Sequence, residues 1–316
     1  MTGRALFDLG DERGVLRVSI AVTVFVAAFG IVFGLLSRSF SIMFDGVYAL
    51  VDASMSMLAL VVVNLITSYA TETRLSRRLR ERFTFGFWHL EPMVLGLNGM
   101  LLIGVGCYAL INAVSSLLAG GHELRFGFAI VYAVVTFIAC VAIAVVETRA
   151  NRLIGSDFIK LDVRAWVMSG GITAALLIAF CLGYLVQGTP WAWISPYIDP
   201  AVLALVCLVI IPLPVASVQQ ALSEVQLVTP ADMMAGVEEV AESIVKKYGF
   251  ESYRAYVAKV GRARQIELYF IVPPGMPARR MEDWDAIRDE VGDAIGDDTP
   301  DRWLTVVFTG DLEWTE

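Results

Sequence analysis

The chain has 316 residues, 57% of them hydrophobic and only 18% charged, with a formal net charge of −8 and a mean hydropathy of +0.67. Soluble domains sit near about 45–50% apolar and about 25% charged, so a disordered, collagenous or disulfide-stapled secreted chain is excluded and a bilayer-resident protein is expected. The acidic balance argues against nucleic acid as a partner, because phosphate binding needs a basic face.

The first residues, MTGRALFDLGDERGVLR, carry acidic side chains and no small-residue cleavage site. They do not read as a signal peptide, and the first span is expected to stay in the mature protein. Six apolar stretches then reach the roughly 20 residues that a spanning helix needs. They cover residues 15–36, 42–68, 93–118, 126–147, 165–187 and 197–218. Ser169, Gly170 and Gly171 weaken the fifth, and Pro212 and Pro214 fall near the end of the sixth. Arg4, Arg13 and Arg17 precede the first span; Arg74, Arg77, Arg78, Arg80 and Arg82 fill the 69–92 loop; Arg149, Arg152, Lys160 and Arg164 fill the 148–164 loop. The short loops of the other side hold only Arg38 and Arg125. That bias places both termini in the cytoplasm. Trp191 and Trp193, in the loop between the last two spans, read as interface anchors.

After about residue 220 the composition turns charged, and no later stretch could span. Thr229-Pro230-Ala231-Asp232 reads as an N-cap, a proline in the first turn and an acidic residue beside the helix dipole. A helix should run to about Lys247 and stop at Gly249. Ser252–Val260 and Gln265–Val272 alternate as strands around a short turn, Met281–Ile295 reads as a helix and Trp303–Phe308 as a third strand. The expected fold is therefore a membrane all-α domain of six helices, residues 1–220, and a small cytoplasmic α+β domain of order αββαβ, residues 221–316.

The second span contains two carboxylates. Ser41, Asp45, Tyr48, Asp52 and Ser56 recur at offsets of 4, 3, 4 and 4, which puts them on one helical face. The fifth span repeats the pattern with Asp162, Trp166, Ser169 and Thr173. A carboxylate inside a span is costly and marks function by default; a polar packing stripe is the plain alternative. If the two stripes face each other, Asp52, Asp45, Tyr48, Asp162 and Ser169 make an oxygen-only cation site, which suits hard ions better than zinc. Asn64, Asn98 and Asn112 read as helix–helix hydrogen bonds rather than ligands. His89 and His122, isolated beside loops, do not make a metal site. The four cysteines, Cys107, Cys140, Cys181 and Cys207, lie in apolar runs with no C-x-x-C and read as small buried residues. No nucleotide loop, nucleophile–base set or metalloprotease pattern is present, so an enzyme is not expected, nor any cofactor beyond a transported cation.

Three stretches in order resemble the cation diffusion facilitator family. Phe44-Asp45-Gly46-Val47-Tyr48-Ala49-Leu50-Val51-Asp52 resembles its second-span motif D-x-x-[HD]-x-x-x-D. Phe85-Gly86-Phe87-Trp88-His89-Leu90-Glu91-Pro92 resembles its entry to the third span, and Tyr197-Ile198-Asp199-Pro200 its D-P motif at the sixth. The resemblance covers nearly the whole chain. It implies a homodimeric exporter, in a bacterial inner (plasma) membrane, that exchanges a divalent metal ion for protons. The departures are specific. The family's four transport ligands fall here on Tyr48, Asp52, Ala165 and Ser169, so Asp52 alone is a carboxylate. Phe87 follows Gly86 where the family has a histidine, and the C-terminal domain contains neither histidine nor cysteine. Either the ion is harder, or the site has moved a turn to include Asp45 and Asp162, or transport is lost. A divalent exporter, a non-transporting membrane scaffold of the same fold and a monovalent-cation transporter are the readings carried forward.

Overall fold

The computed structural model describes residues 12–70, 81–83, 86–154 and 157–315. Arg4, Phe85 and the basic run Arg74, Arg77, Arg78 and Arg80 lie outside the described residues, as does the side chain of Arg13. The helices are α1 (Glu12–Ser37), α2 (Phe40–Ala70), α3 (Leu90–Leu118), α4 (Phe126–Ile154), α5 (Asp157–Val186), α6 (Ser195–Ile210) and α7 (Val215–Val225). Six spans among the described residues are long and apolar enough to cross a membrane, the sixth running from Ala192 to Val225 across α6 and α7. Pro212 and Pro214 break that last span into its two helices, as a missing N–H and a fixed φ require. The expected 148–164 loop needs correction. Arg149 and Arg152 belong to α4, Lys160 and Arg164 to α5. Long basic side chains extend a spanning helix past its apolar segment, because their charged ends reach water while their stems stay along the helix.

The described residues pack as two units. In the first, built from α1, α2 to Met57, α3 from Asn98 and the helices through Ala216, α4 and α5 keep one antiparallel register. A Cβ on Gly183 would lie 2.3 Å from the Phe126 ring, and one on Gly170 would lie 3.3 Å from Cys140 Cβ. Among the buried positions of α4, Phe126, Ala129, Ala133, Thr136, Cys140, Ile143 and Glu147 recur at alternate steps of 3 and 4 and form a seam, with Tyr132 and Ala144 beside it. At the other contact, a Cβ on Gly46 of α2 would lie 2.7 Å from Ala27 O and from Ile31 N of α1. That close approach brings the Asp45 turn against the neighbouring helices.

In the second unit, α8 (Ala231–Tyr248), β1 (Ser252–Val260), β2 (Ala263–Ile271), α9 (Met281–Ile295) and β3 (Arg302–Thr309) follow in the expected αββαβ order. The sheet order is β1-β2-β3, antiparallel from Ser252↔Ile271 to Val260↔Ala263 and parallel from Arg264↔Arg302 to Ile271↔Thr309. The parallel pair needs a crossover, which α9 supplies. Val237, Ala241 and Ile244 of α8 and Ile287 and Val291 of α9 bury one face of the sheet against Val257, Ile266, Leu268 and Phe270. Helix α8 starts one residue later than expected, with Pro230 rather than Thr229 at the N-cap, and ends at left-handed Gly249 (φ 72°).

Candidate functional site

The polar side chains of the first unit fall into tiers along the helices. Nearest the Phe40 end, Tyr132 Oη of α4 donates to Asp45 Oδ2 at 2.6 Å. Tyr132 is fully buried, and Gly30 leaves room for it, since a Cβ there would lie 3.1 Å from the phenol oxygen. About 10 Å further along α2, two helical turns, Asn98 Nδ2 of α3 donates to Asp52 Oδ1 at 3.3 Å. The Asn98 Oδ1 is buried with no hydrogen-bond partner. Tyr48 lies one turn from Asp52, within the reach of its charge, and packs its ring against Phe44 at 5.5 Å between centroids. At the corresponding depth on the α4–α5 seam, Cys140 Sγ donates to Ser169 Oγ at 3.7 Å. Seven residues further on both helices, Glu147 faces Asp162. Beside them, Trp166 Nε1 donates to Ser19 Oγ of α1 at 2.8 Å.

The five expected site residues are thus distributed. Tyr48 and Asp52 sit together on α2. Asp45, Ser169 and Asp162 each face a residue of α4: Tyr132, Cys140 and Glu147. Among the described residues no cluster of three or more His, Cys, Asp or Glu side chains could hold a metal ion. Asp52 is exposed within the chain. Ser41, expected on the α2 stripe, is instead buried and donates to Asp199 O at 2.9 Å.

That bond belongs to a lock around the D-P motif. Asp199 is fully buried. Its Oδ1 accepts from Ser39 Oγ at 2.6 Å and its Oδ2 from Phe40 N at 2.9 Å. Ser39 also caps α2, its Oγ accepting from Ile42 N at 3.2 Å. His122 Nε2 stands 3.3 Å from Asp199 Oδ2 and 3.0 Å from Arg38 O. Both of those are acceptors, so Nε2 carries the proton. The bond to Asp199 holds the His122 pKa above its ordinary value near 6.5, against an opposing effect of burial.

Four residues of these tiers escaped the sequence reading: Tyr132, Cys140 as a tier partner, Ser19 and Glu147. Glu147 closes the apolar stretch 126–147. The step of seven from Phe126 through Ala133 and Cys140 puts it on the same buried face, and that signal is in the sequence. An ionisable side chain at such a position costs about 2.5–3.5 kcal/mol on insertion scales.

A profile of the cation efflux transmembrane domain matches residues 16–224, which takes in every tier described above. The chain belongs to the cation diffusion facilitator (cation efflux) family. It is similar to the metal cation efflux system protein CzcD of Cupriavidus metallidurans (strain CH34), 23% identical over 246 residues, 77% of this chain and 70% of the relative. The cation efflux system protein CzcD of Alcaligenes sp. (strain CT14) matches to the same extent. Membership makes the chain an integral membrane protein of a cation-transporting family, and the apolar helices are its membrane part.

Proposed function

We propose that this chain is a secondary transporter exporting a divalent cation that prefers oxygen ligands, in exchange for protons, with Asp52 as the principal ligand. The observation that carries this reading is the donor set at the middle tier. It comprises one carboxylate from Asp52, the phenol of Tyr48 beside it and the amide of Asn98 at 3.3 Å, with no imidazole among them. Zinc is normally held by four good nitrogen, sulfur or carboxylate donors. A harder ion keeps water and neutral oxygens in its shell. A carboxylate can hold a proton or a cation in turn, and trading one for the other is the basis of antiport. Asp45 and Asp162 serve as entry or exchange carboxylates on either side of that tier.

In this reading the basic residues at the Ile154 end of α4 face the cytoplasm of a bacterial inner membrane. The C-terminal αββαβ domain lies on the same side and joins two copies of the chain. The test is a panel of Mg²⁺, Mn²⁺, Ca²⁺, Zn²⁺ and K⁺ offered to proteoliposomes under a pH gradient. Uptake of a hard divalent ion ahead of Zn²⁺ is expected. Ala165 and Ser169, where the family pattern has transport ligands, favour a second reading: a non-transporting scaffold that kept the fold. Uptake of no ion by correctly inserted protein would support that reading, and uptake of K⁺ alone a monovalent transporter.

A further inference from the structure

Glu147 has no part in the reading above, which takes only Asp162 from this tier. Glu147 is 2% exposed, and neither of its carboxyl oxygens has a hydrogen-bond partner. Asp162 faces it from α5, half-buried. The seam explains why the two meet: seven residues back, Cys140 and Ser169 meet in the same register. Two carboxyl groups set against each other, one of them buried, need a positive charge between them. A shared proton would serve one oxygen of each group and leave the second Glu147 oxygen to the Ser19 hydroxyl alone. A cation held by both Glu147 oxygens and by Asp162 leaves none bare, and carboxylates bind hard cations in just this one- or two-oxygen manner. Two negative charges match a divalent ion. The Ser19 hydroxyl, fixed by Trp166 Nε1 at 2.8 Å, stands beside the pair as a neutral oxygen. The open side of Asp162 admits the waters that complete the shell.

We propose that Glu147 and Asp162, with the hydroxyl of Ser19, form a second site for a hard divalent cation, separate from Asp52 and about 10 Å along the α4–α5 pair from Ser169. No residue of the middle tier contributes to it, so it stands or falls apart from the role of Asp52. Its place toward the Ile154 end makes it a station that a cation occupies before or after the Asp52 tier. Trp166 acts as a positioning residue through Ser19.

The test measures Mn²⁺ bound per chain, by electron paramagnetic resonance on the purified full-length protein, in wild type, D52N, E147Q and the D52N/E147Q double variant. The D52N protein should keep a Mn²⁺ that the double variant loses, and E147Q alone should lose that same ion. If D52N instead binds as many ions as wild type while E147Q loses one, the Asp52 reading fails and the second site stands. Equal binding by D52N and the double variant overturns the second site. Where E147Q is not recovered as a monodisperse folded protein, D162N, which alters the half-buried partner, is read by the same criterion.

Discussion

His122 is one of two histidines in the chain, and it closes a ring of contacts. Its ring meets Phe40 edge-on at 5.0 Å, its Nε2 faces Asp199, and its Nδ1 lies 3.1 Å from Ser116 Oγ. The Asp199 bond raises its pKa. A raised basic group stabilises the fold fully below its unfolded value, about 6.5, and the gain is lost as pH rises through the folded value. Thermal unfolding in detergent should therefore show wild type losing stability as pH is raised through and above that point. H122N should be less stable at acid pH and flat across the window; parallel profiles for the two proteins would refute the lock. Tyr48 supplies a second prediction. Tyr48→Phe keeps the ring against Phe44 and should slow transport modestly, whereas Tyr48→Asp, adding a second carboxylate one turn from Asp52, should shift ion preference toward transition metals in a competition uptake assay. At this scale the sequence disclosed Asp45, Tyr48 and Asp52, because a carboxylate in an apolar run stands out. It marked Asn98 as a helix–helix hydrogen bond without naming its partner and hid Tyr132, because period alone does not say which helices are neighbours.

Among the elements, the β1–β2 hairpin shows how an ordinary two-residue turn becomes a clamp. Gly261 adopts φ 60°, and a Cβ there would lie 2.9 Å from Glu91 Oε2. Arg262 Nε donates to Glu91 Oε2 at 3.1 Å, while Gly261 N donates to Glu224 Oε2 at 2.9 Å. Lys259 Nζ adds an ion pair to Glu224 at 3.6 Å. The hairpin thus holds the Glu-Pro start of α3 and the end of α7 within the second unit. Arg262 and Glu91 are each about one-third exposed, so solvent screening keeps the pair to about 1 kcal/mol or less. Arg262→Ala should leave the domain folded but raise amide hydrogen exchange in the hairpin and at residues 88–92. Unchanged exchange there would remove the clamp from the account. The strands and α9 were legible almost to the residue, since alternation and a bounded amphipathic run are local signals. The α4 and α5 ends were not, because charge marks the edge of the apolar segment and not the end of the helix. Glu147 was lost to the same confusion: a run that ends on a carboxylate looks finished, although the seam of α4 continues through it.

For the whole molecule, the family was legible from three short motifs in order, and the profile match over residues 16–224 bears that out; the six spans and the αββαβ order were legible from hydropathy and periodicity, and the structure has both. Which ion is carried is a different matter, because Tyr48, Ala165 and Ser169 depart from the ligand pattern that the family resemblance implies. The C-terminal domain has no histidine or cysteine. The dimer proposed to form through it is therefore expected to persist in chelator, and the purified full-length protein should run as a dimer in size-exclusion chromatography with light scattering, with or without EDTA. Dissociation by chelator would assign a structural metal to the interface. The central claim is that Asp52 carries a cation of the oxygen-preferring kind across the membrane against protons. The most direct measurement is ion uptake with simultaneous internal pH readout in proteoliposomes, wild type beside Asp52→Asn, which keeps the shape and removes the charge. The account predicts coupled uptake of a hard divalent ion by wild type and loss of both signals in the variant, with the variant still folded. Robust zinc–proton exchange by wild type, undiminished by Asp52→Asn, would contradict it.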